Sequence, residues 1–115
     1  MGAPTAGTVV LVPFPFSDLR RAKLRPATVL AVVELDDLIL CQITSNPYGD
    51  PTAVPIRSSD FQDGGLQRDS FARPGKVFTA NTSLLTAMAG RLVADKHREI
   101  VKAVVDLLHP GLTDA

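Results

Sequence analysis

The chain has 115 residues, 45% hydrophobic and 21% charged, with 12 basic side chains against 12 acidic ones, no tryptophan and one cysteine. That length supports a single compact domain over residues 1–115, and the balanced charge leaves no bulk electrostatic case for binding nucleic acid or an anionic membrane, so any such role must rest on local clustering. The apolar runs fall far short of the roughly 20 residues that cross a bilayer, and residues 1–7 lack the features of a signal peptide, so no membrane contact and a cytoplasmic location are expected.

Residues 9–12 are a β-branched run closed by Pro13 and Pro15, which a central strand does not tolerate; a strand and then a loop over 14–24 are expected. That loop holds Asp18 and the cluster Arg20, Arg21 and Lys23, and it leads into Arg25 with no acidic residue between Leu19 and Val33. It is the strongest charge asymmetry in the chain. Residues 27–33 and 38–44 are similar apolar runs around a polar break at 34–37, the pattern of two strands joined by a short turn. Lone Cys41, inside the second run, excludes a disulfide framework and reads as a buried core thiol. Residues 45–51 have loop composition, and 53–56 fit a short strand. Asp63, Gly64 and Gly65 predict a tight turn, and Arg73, Pro74 and Gly75 a second one before a strand over 76–80.

The C-terminal segment changes period. Ile100, Val101, Val104, Val105 and Leu108 line one face of an amphipathic helix over about 94–109, with Asp95 in its first turn, His109 at its end, and Pro110 with Gly111 as the stop. Short strands followed by one helix predict a mainly β fold, a small antiparallel barrel over about 7–92 with the helix packed on it.

Few residues offer chemistry. His97 and His109 both fall in the predicted helix, away from the polar loops, and read as partly exposed helical residues rather than a catalytic pair. The carboxylates Asp36, Asp37, Asp60, Asp63 and Asp69 lack metal-ligand spacing, so no metal and no cofactor are expected. What remains is Arg25 and the triplet Thr44, Ser45 and Asn46. If the hairpin turns midway between 34 and 35, positions 25 and 44 stand opposite each other. A guanidinium fork and a hydroxyl at one strand rim can grip a phosphodiester. From charge alone Arg20, Arg21 and Lys23 fit a solvated loop as well as a binding patch, and Thr44 and Ser45 also fit plain turn residues. Residue chemistry by itself leaves the function open.

The order of motifs narrows it. Residues 7–16 (GTVVLVPFPF), 23–27 (KLRPA) and 43–46 (ITSN), then Gly65, Leu66, Ser70, a strand near Val77, residues 89–92 (AGRL) and the terminal helix, together resemble the MazF/PemK family of bacterial toxins. Thr8 stands where that family often has an acidic residue. The resemblance covers nearly the whole chain and implies an SH3-like barrel, similar also to the CcdB toxins. It implies a cytoplasmic, homodimeric endoribonuclease that cuts single-stranded RNA at short sequences and is silenced by a cognate antitoxin. By position Arg25 matches the family's catalytic arginine and Thr44 its catalytic threonine, with Arg20, Arg21, Lys23, Ser45, Asn46 and Asp18 as expected RNA contacts. The expected chemistry needs no metal: the substrate's 2′-OH attacks the adjacent phosphorus and leaves a 2′,3′-cyclic phosphate and a 5′-OH end. Arg25 would stabilise the phosphorane and Thr44 would hold a phosphate oxygen. An arginine does not give up its proton at neutral pH, so the general acid stays open, and Asp18 is a candidate base. Tyr48 is a candidate loop contact to RNA, while Phe14 and Phe16 fit core packing. The alternative on the same barrel is a non-enzymatic, CcdB-like toxin that binds a protein target such as gyrase through the C-terminal helix.

Overall fold

The computed structural model describes residues 3–15 and 22–113. Seven strands, β1 (Thr8–Pro15), β2 (Ala22–Val32), β3 (Asp37–Thr44), β4 (Val54–Ile56), β5 (Phe61–Gly64), β6 (Ser70–Asn81) and β7 (Ala87–Leu92), precede helix α1 (Ala94–Leu108) and a short turn of helix, α2 (Pro110–Thr113). The strands form one sheet in the order β4-β6-β3-β2-β1-β7-β5, antiparallel at every junction. It is the curled antiparallel half-barrel with a C-terminal helix that the strand pattern predicts.

Both faces of the sheet are covered, and the period-2 alternation of side chains sorts the core into two clusters. Val9, Cys41, Ile43 and Leu92 pack with Ile100 of α1, whereas Val10, Val12, Val29, Leu38 and Leu40 pack on the other face. Cys41 is fully buried, its Sγ donates to the Arg73 carbonyl at 3.2 Å, and burial pushes the thiol up to about 12. It is an inert core residue, as the apolar run around it indicates.

The β2–β3 hairpin closes through Glu34–Asp36, with Leu35 and Asp36 both at φ 62. Such a left-handed pair matches the right-handed twist of the strands, and the Asn81 side chain fixes it by donating to the Leu35 carbonyl at 2.9 Å.

Two expectations are corrected. The first strand does not end at Pro13, because β1 runs to Pro15 and β2 begins at Ala22, which places Lys23 and Leu24 in a strand rather than a loop. Thr86 N donates to Leu11 O, so Leu11 turns its backbone groups away from β2, and by the same period Pro13 and Pro15 do too. Since β7 pairs only with Thr8 to Leu11, their missing N–H groups break no ladder. The second correction concerns Arg73, Pro74 and Gly75, which lie inside β6. Opposite Gln42 the pairing jumps from Cys41↔Val77 to Ile43↔Ala72, so these residues form a bulge that bends the strand instead of reversing it. Likewise Gly64 is the last residue of β5, not a turn beyond it. Helix α1 ends at Leu108, within a residue of the end that Pro110 and Gly111 predict, although helical backbone resumes: His109 stays in the α region and α2 follows directly. A proline is tolerated in the first turn of a helix, where its N–H has no partner to lose.

Helix α1 is set on the sheet by Ile100, fully buried, and by Lys96, whose ammonium donates to the Pro55 carbonyl at 2.9 Å and to Glu99 at 2.8 Å. Asp95 in the first turn pairs with Arg98. The apolar face predicted for the helix is covered only in part, since Val105 is 53% and Leu108 67% exposed. His97 is half-buried beside Gly7, and its Nδ1 has no hydrogen-bond partner among the described residues.

Burial, and secondarily the charge of Arg98, holds the His97 pKa below its ordinary value of 6.5. The unfolded chain therefore binds this proton at a higher pH than the folded one does. The corresponding stability is complete above about pH 6.5 and is lost as the pH falls through the lower folded pKa. Thermal midpoints measured between pH 7.5 and 5 should fall more steeply for the wild type than for His97→Gln. Parallel curves would show that His97 titrates alike in both states.

Candidate functional site

Strands β1, β2, β3 and β7 and the short connection from β5 to β6 converge on a cleft of about 550 Å³. One wall is the start of β2 with Lys23, Leu24, Arg25 and Pro26, the end of β3 with Ile43 and Thr44, and Ser45 beyond it. A second wall is Gly65, Leu66, Gln67 and Arg68, with Ser70 at the start of β6 beside the end of β3, and Leu11 with Ala89 adds an apolar floor.

Register brings the first wall together. On β1, Val12 stands opposite Arg25; on β3, Gln42 stands opposite Ala27, Cys41 opposite Thr28 and Leu40 opposite Val29. Extending that register two residues places Thr44 across from Arg25, where the hairpin arithmetic puts it. Pro26 follows Arg25 and holds it to extended backbone, so the guanidinium projects from a strand and not from a loop tip.

Thr44 is buried and its hydroxyl is already engaged. Its Oγ1 donates to the Asn46 carbonyl at 3.1 Å and accepts from the Asn46 N–H at 3.2 Å. A hydroxyl has one hydrogen, so a phosphate oxygen bound here as acceptor would compete with the Asn46 carbonyl for it. Thr44 thus folds the chain back at the rim of the cleft as well as offering a polar atom to it.

The far wall is fixed through β7. Gly65 N donates to the Ala89 carbonyl at 3.1 Å, and the Ser70 hydroxyl donates to the Arg68 carbonyl at 3.0 Å. Gln67 and Arg68 are exposed. Lys23, Arg25 and Arg68 give the cleft three cations, and no carboxylate lines it among the described residues. A chain of zero net charge therefore carries one locally cationic concavity, suited to an anionic ligand.

Of the residues singled out in the sequence, Lys23, Arg25, Thr44 and Ser45 share this cleft, and Asn46 serves it by holding Thr44. Asp18, Arg20 and Arg21 lie outside the described residues. Gln67 and Arg68 escaped sequence reasoning. The available signal was a lone basic residue three positions beyond a glycine pair, which becomes meaningful only once β5 and β7 are known to pair. Among the described residues no three His, Cys, Asp or Glu side chains gather as a metal site, and no helix is long and apolar enough to cross a membrane.

Residues 5–108 match the family described as PemK-like, MazF-like toxin of type II toxin-antitoxin system. No curated protein matches the sequence. Among solved structures the chain is similar to MazF in a MazE–MazF complex from Deinococcus radiodurans, with TM-score 0.74 and 20% identity over 94% of this chain and 98% of that one. It is also similar to MazF alone from the same organism, with TM-score 0.73 and 20% identity over 95% and 99% of the two chains. A third is an endoribonuclease in complex with its cognate antitoxin from a mycobacterial species, with TM-score 0.70 and 17% identity over 95% and 96%. At these identities the structures establish the fold, while the match over residues 5–108 establishes the family: the chain belongs to the PemK-like, MazF-like toxins of type II toxin–antitoxin systems.

Proposed function

We propose that the chain is an endoribonuclease toxin that cuts single-stranded RNA at the cleft between Arg25, Thr44 and Arg68. The observation that carries this reading is the convergence of Arg25 and Thr44, from two strands, on a concavity with three cations and no carboxylate. The substrate's 2′-oxygen attacks the neighbouring phosphorus, the bond from phosphorus to the 5′-oxygen breaks, and the products are a 2′,3′-cyclic phosphate and a 5′-OH end. Negative charge grows on the non-bridging oxygens along this path, and the planar donor fork of Arg25 meets it. Lys23 as a point charge and Arg68 through its guanidinium fork hold the flanking phosphates, Ser45 offers a further donor, and Arg20 and Arg21 are further phosphate contacts. Neither an imidazole nor a carboxylate lines the cleft among the described residues, so its own contribution is positioning and charge stabilisation. Asp18, as its carboxylate, is the base we assign for removal of the 2′-proton, and the departing 5′-oxygen takes its proton from solvent water, because an arginine does not give one up at neutral pH.

The same cationic cleft suits an acidic, extended segment of a cognate antitoxin, which would inhibit by occupying the RNA path. A homodimer in the cytoplasm completes the reading. The exposed apolar residues Val105, Leu108 and Leu112 on α1 and α2 offer surface for such a contact. That surface also favours the second reading, a non-enzymatic toxin that docks a protein target through its C-terminal helix.

Incubating the purified protein with a long single-stranded RNA in EDTA, and mapping the ends, separates the two. Discrete cuts with 5′-OH ends, lost in Arg25→Ala, are expected. Intact RNA would transfer the assignment to the protein-binding toxin.

A further inference from the structure

The connection from β3 to β4 carries the chain's single tyrosine. Tyr48 is 68% exposed, yet it is tightly specified. Its φ of 55° is a left-handed conformation that bulky side chains seldom adopt, so its surroundings must impose it. Thr44 Oγ1 holds the Asn46 backbone, and Asn46 Oδ1 in turn accepts from Tyr48 N at 2.9 Å. Two hydrogen-bonded steps therefore tie the tyrosine to the rim of the cleft.

A second set of contacts fixes the ring. The Arg73 guanidinium carbon lies over it, 5.8 Å from the centroid, and Arg73 Nε donates to Asp50 Oδ2 at 3.1 Å. Asp50 also accepts from Thr52 Oγ1 at 2.6 Å and from Thr52 N at 2.9 Å. These bonds, those from Thr52 foremost, hold the Asp50 carboxyl below the usual carboxylate range, so the clamp on Arg73 persists to more acid pH than an ordinary carboxylate would allow. Arg73 is itself placed by the β6 bulge, where its carbonyl accepts from Cys41.

A water-exposed ring held this firmly adds nothing to the core. A guanidinium beside it enriches the stack, and the exposed remainder of the ring is open to a π-face. Single-stranded RNA presents such faces, because its unpaired bases splay out and stack on aromatic side chains. We infer that Tyr48 is a stacking platform for one unpaired base next to the phosphodiester held by Arg25 and Thr44, with Asn46, Arg73 and Asp50 as positioning residues. The inference rests on the RNA-cleaving reading above and names a subsite for it. Every base has a π-face, so this contact supplies affinity and register rather than sequence choice.

Because the chain has one tyrosine and no tryptophan, its tyrosine emission reports on Tyr48 alone. The test titrates the wild type with a 2′-O-methyl oligonucleotide of the mapped cleavage sequence, which lacks the attacking hydroxyl. Binding is followed by the anisotropy of a labelled copy, and stacking by tyrosine emission with an unlabelled one. Emission should be quenched over the concentrations at which anisotropy rises, and an abasic residue at one position should abolish the quenching. In cleavage assays Tyr48→Ala should raise KM about 5- to 150-fold, with the loss falling on KM rather than kcat. Tyr48→Phe and Tyr48→Trp keep a ring and should restore KM toward the wild-type value, whereas Asp50→Asn should shrink the quenching. Binding without quenching, or a wild-type KM in Tyr48→Ala, overturns the platform and leaves the nuclease standing. Absence of both binding and cleavage in the wild type overturns the nuclease reading and the subsite with it.

Discussion

Arg25→Lys should lower kcat for RNA cleavage about 100- to 1,000-fold although the positive charge is retained. Losing one preorganised donor aimed at developing oxyanion charge costs about 3 to 4 kcal/mol of transition-state stabilisation. An ammonium on a flexible stem does not reproduce a planar fork that meets two phosphate oxygens at once. Arg25 is also well placed to matter: it stands opposite Val12 on β1, and Pro26 fixes the backbone that follows it. Single-turnover rates at a mapped site, with thermal midpoints as the control for folding, measure the effect. The loss should fall on kcat, with KM rising much less, because Lys23 and Arg68 line the same cleft and, on the proposed reading, would still hold the flanking phosphates in ground and transition state alike. A kcat within threefold of wild type would remove Arg25 from the reacting phosphate and make it one more backbone contact.

How much of this site can be seen in the sequence depends on the range of the interactions that build it. The β2–β3 hairpin is legible because two apolar runs flank a polar break, and Ala27↔Gln42, Thr28↔Cys41 and Val29↔Leu40 all keep the register that a turn midway between 34 and 35 demands. Even there a bulge after Val29 shifts the pairing by one residue, away from the site. Pro13 and Pro15 mislead because the rule that bars proline concerns a missing donor, and whether a donor is needed depends on how far β7 runs beside β1. Arg73, Pro74 and Gly75 mislead for a related reason: residues that favour a reversal also suit a bulge, and only the partner strand decides between them. The far wall with Gln67 and Arg68 is the least legible part. Its strands β5 and β7 are short, β5 carries only one strongly strand-forming residue, Phe61, and β7 is half Ala and Gly, so pairing across the fold creates them, not local propensity.

That pairing supplies the second large effect, an expected loss of about 2 to 3 kcal/mol of stability in Gly90→Ala from overpacking a close contact. Gly90 stands opposite Gly64 in the β5–β7 ladder. A Cβ at Gly90 would lie 2.6 Å from the Asp63 carbonyl oxygen, 2.9 Å from Gly65 N and 3.0 Å from Gly64 Cα. All three are backbone atoms, so no side chain can rotate aside and the two strands must separate. Separation strains the bond from Gly65 N to the Ala89 carbonyl, which holds the wall carrying Gln67 and Arg68 against the floor of the cleft. Gly90→Ala should therefore cleave RNA more slowly even at 20 °C, where the folded form still dominates. Gly65→Ala is the control, since a Cβ there meets nothing within 4 Å and the residue has no positive φ. Urea midpoints and single-turnover rates for the two variants separate stability from site geometry. If Gly90→Ala loses stability and cleavage while Gly65→Ala keeps its stability, the β5–β7 contact is what sets the width of the cleft. An unchanged urea midpoint in Gly90→Ala would mean that the strands do not approach this closely and that the far wall is held by Ser70 and Leu66 instead.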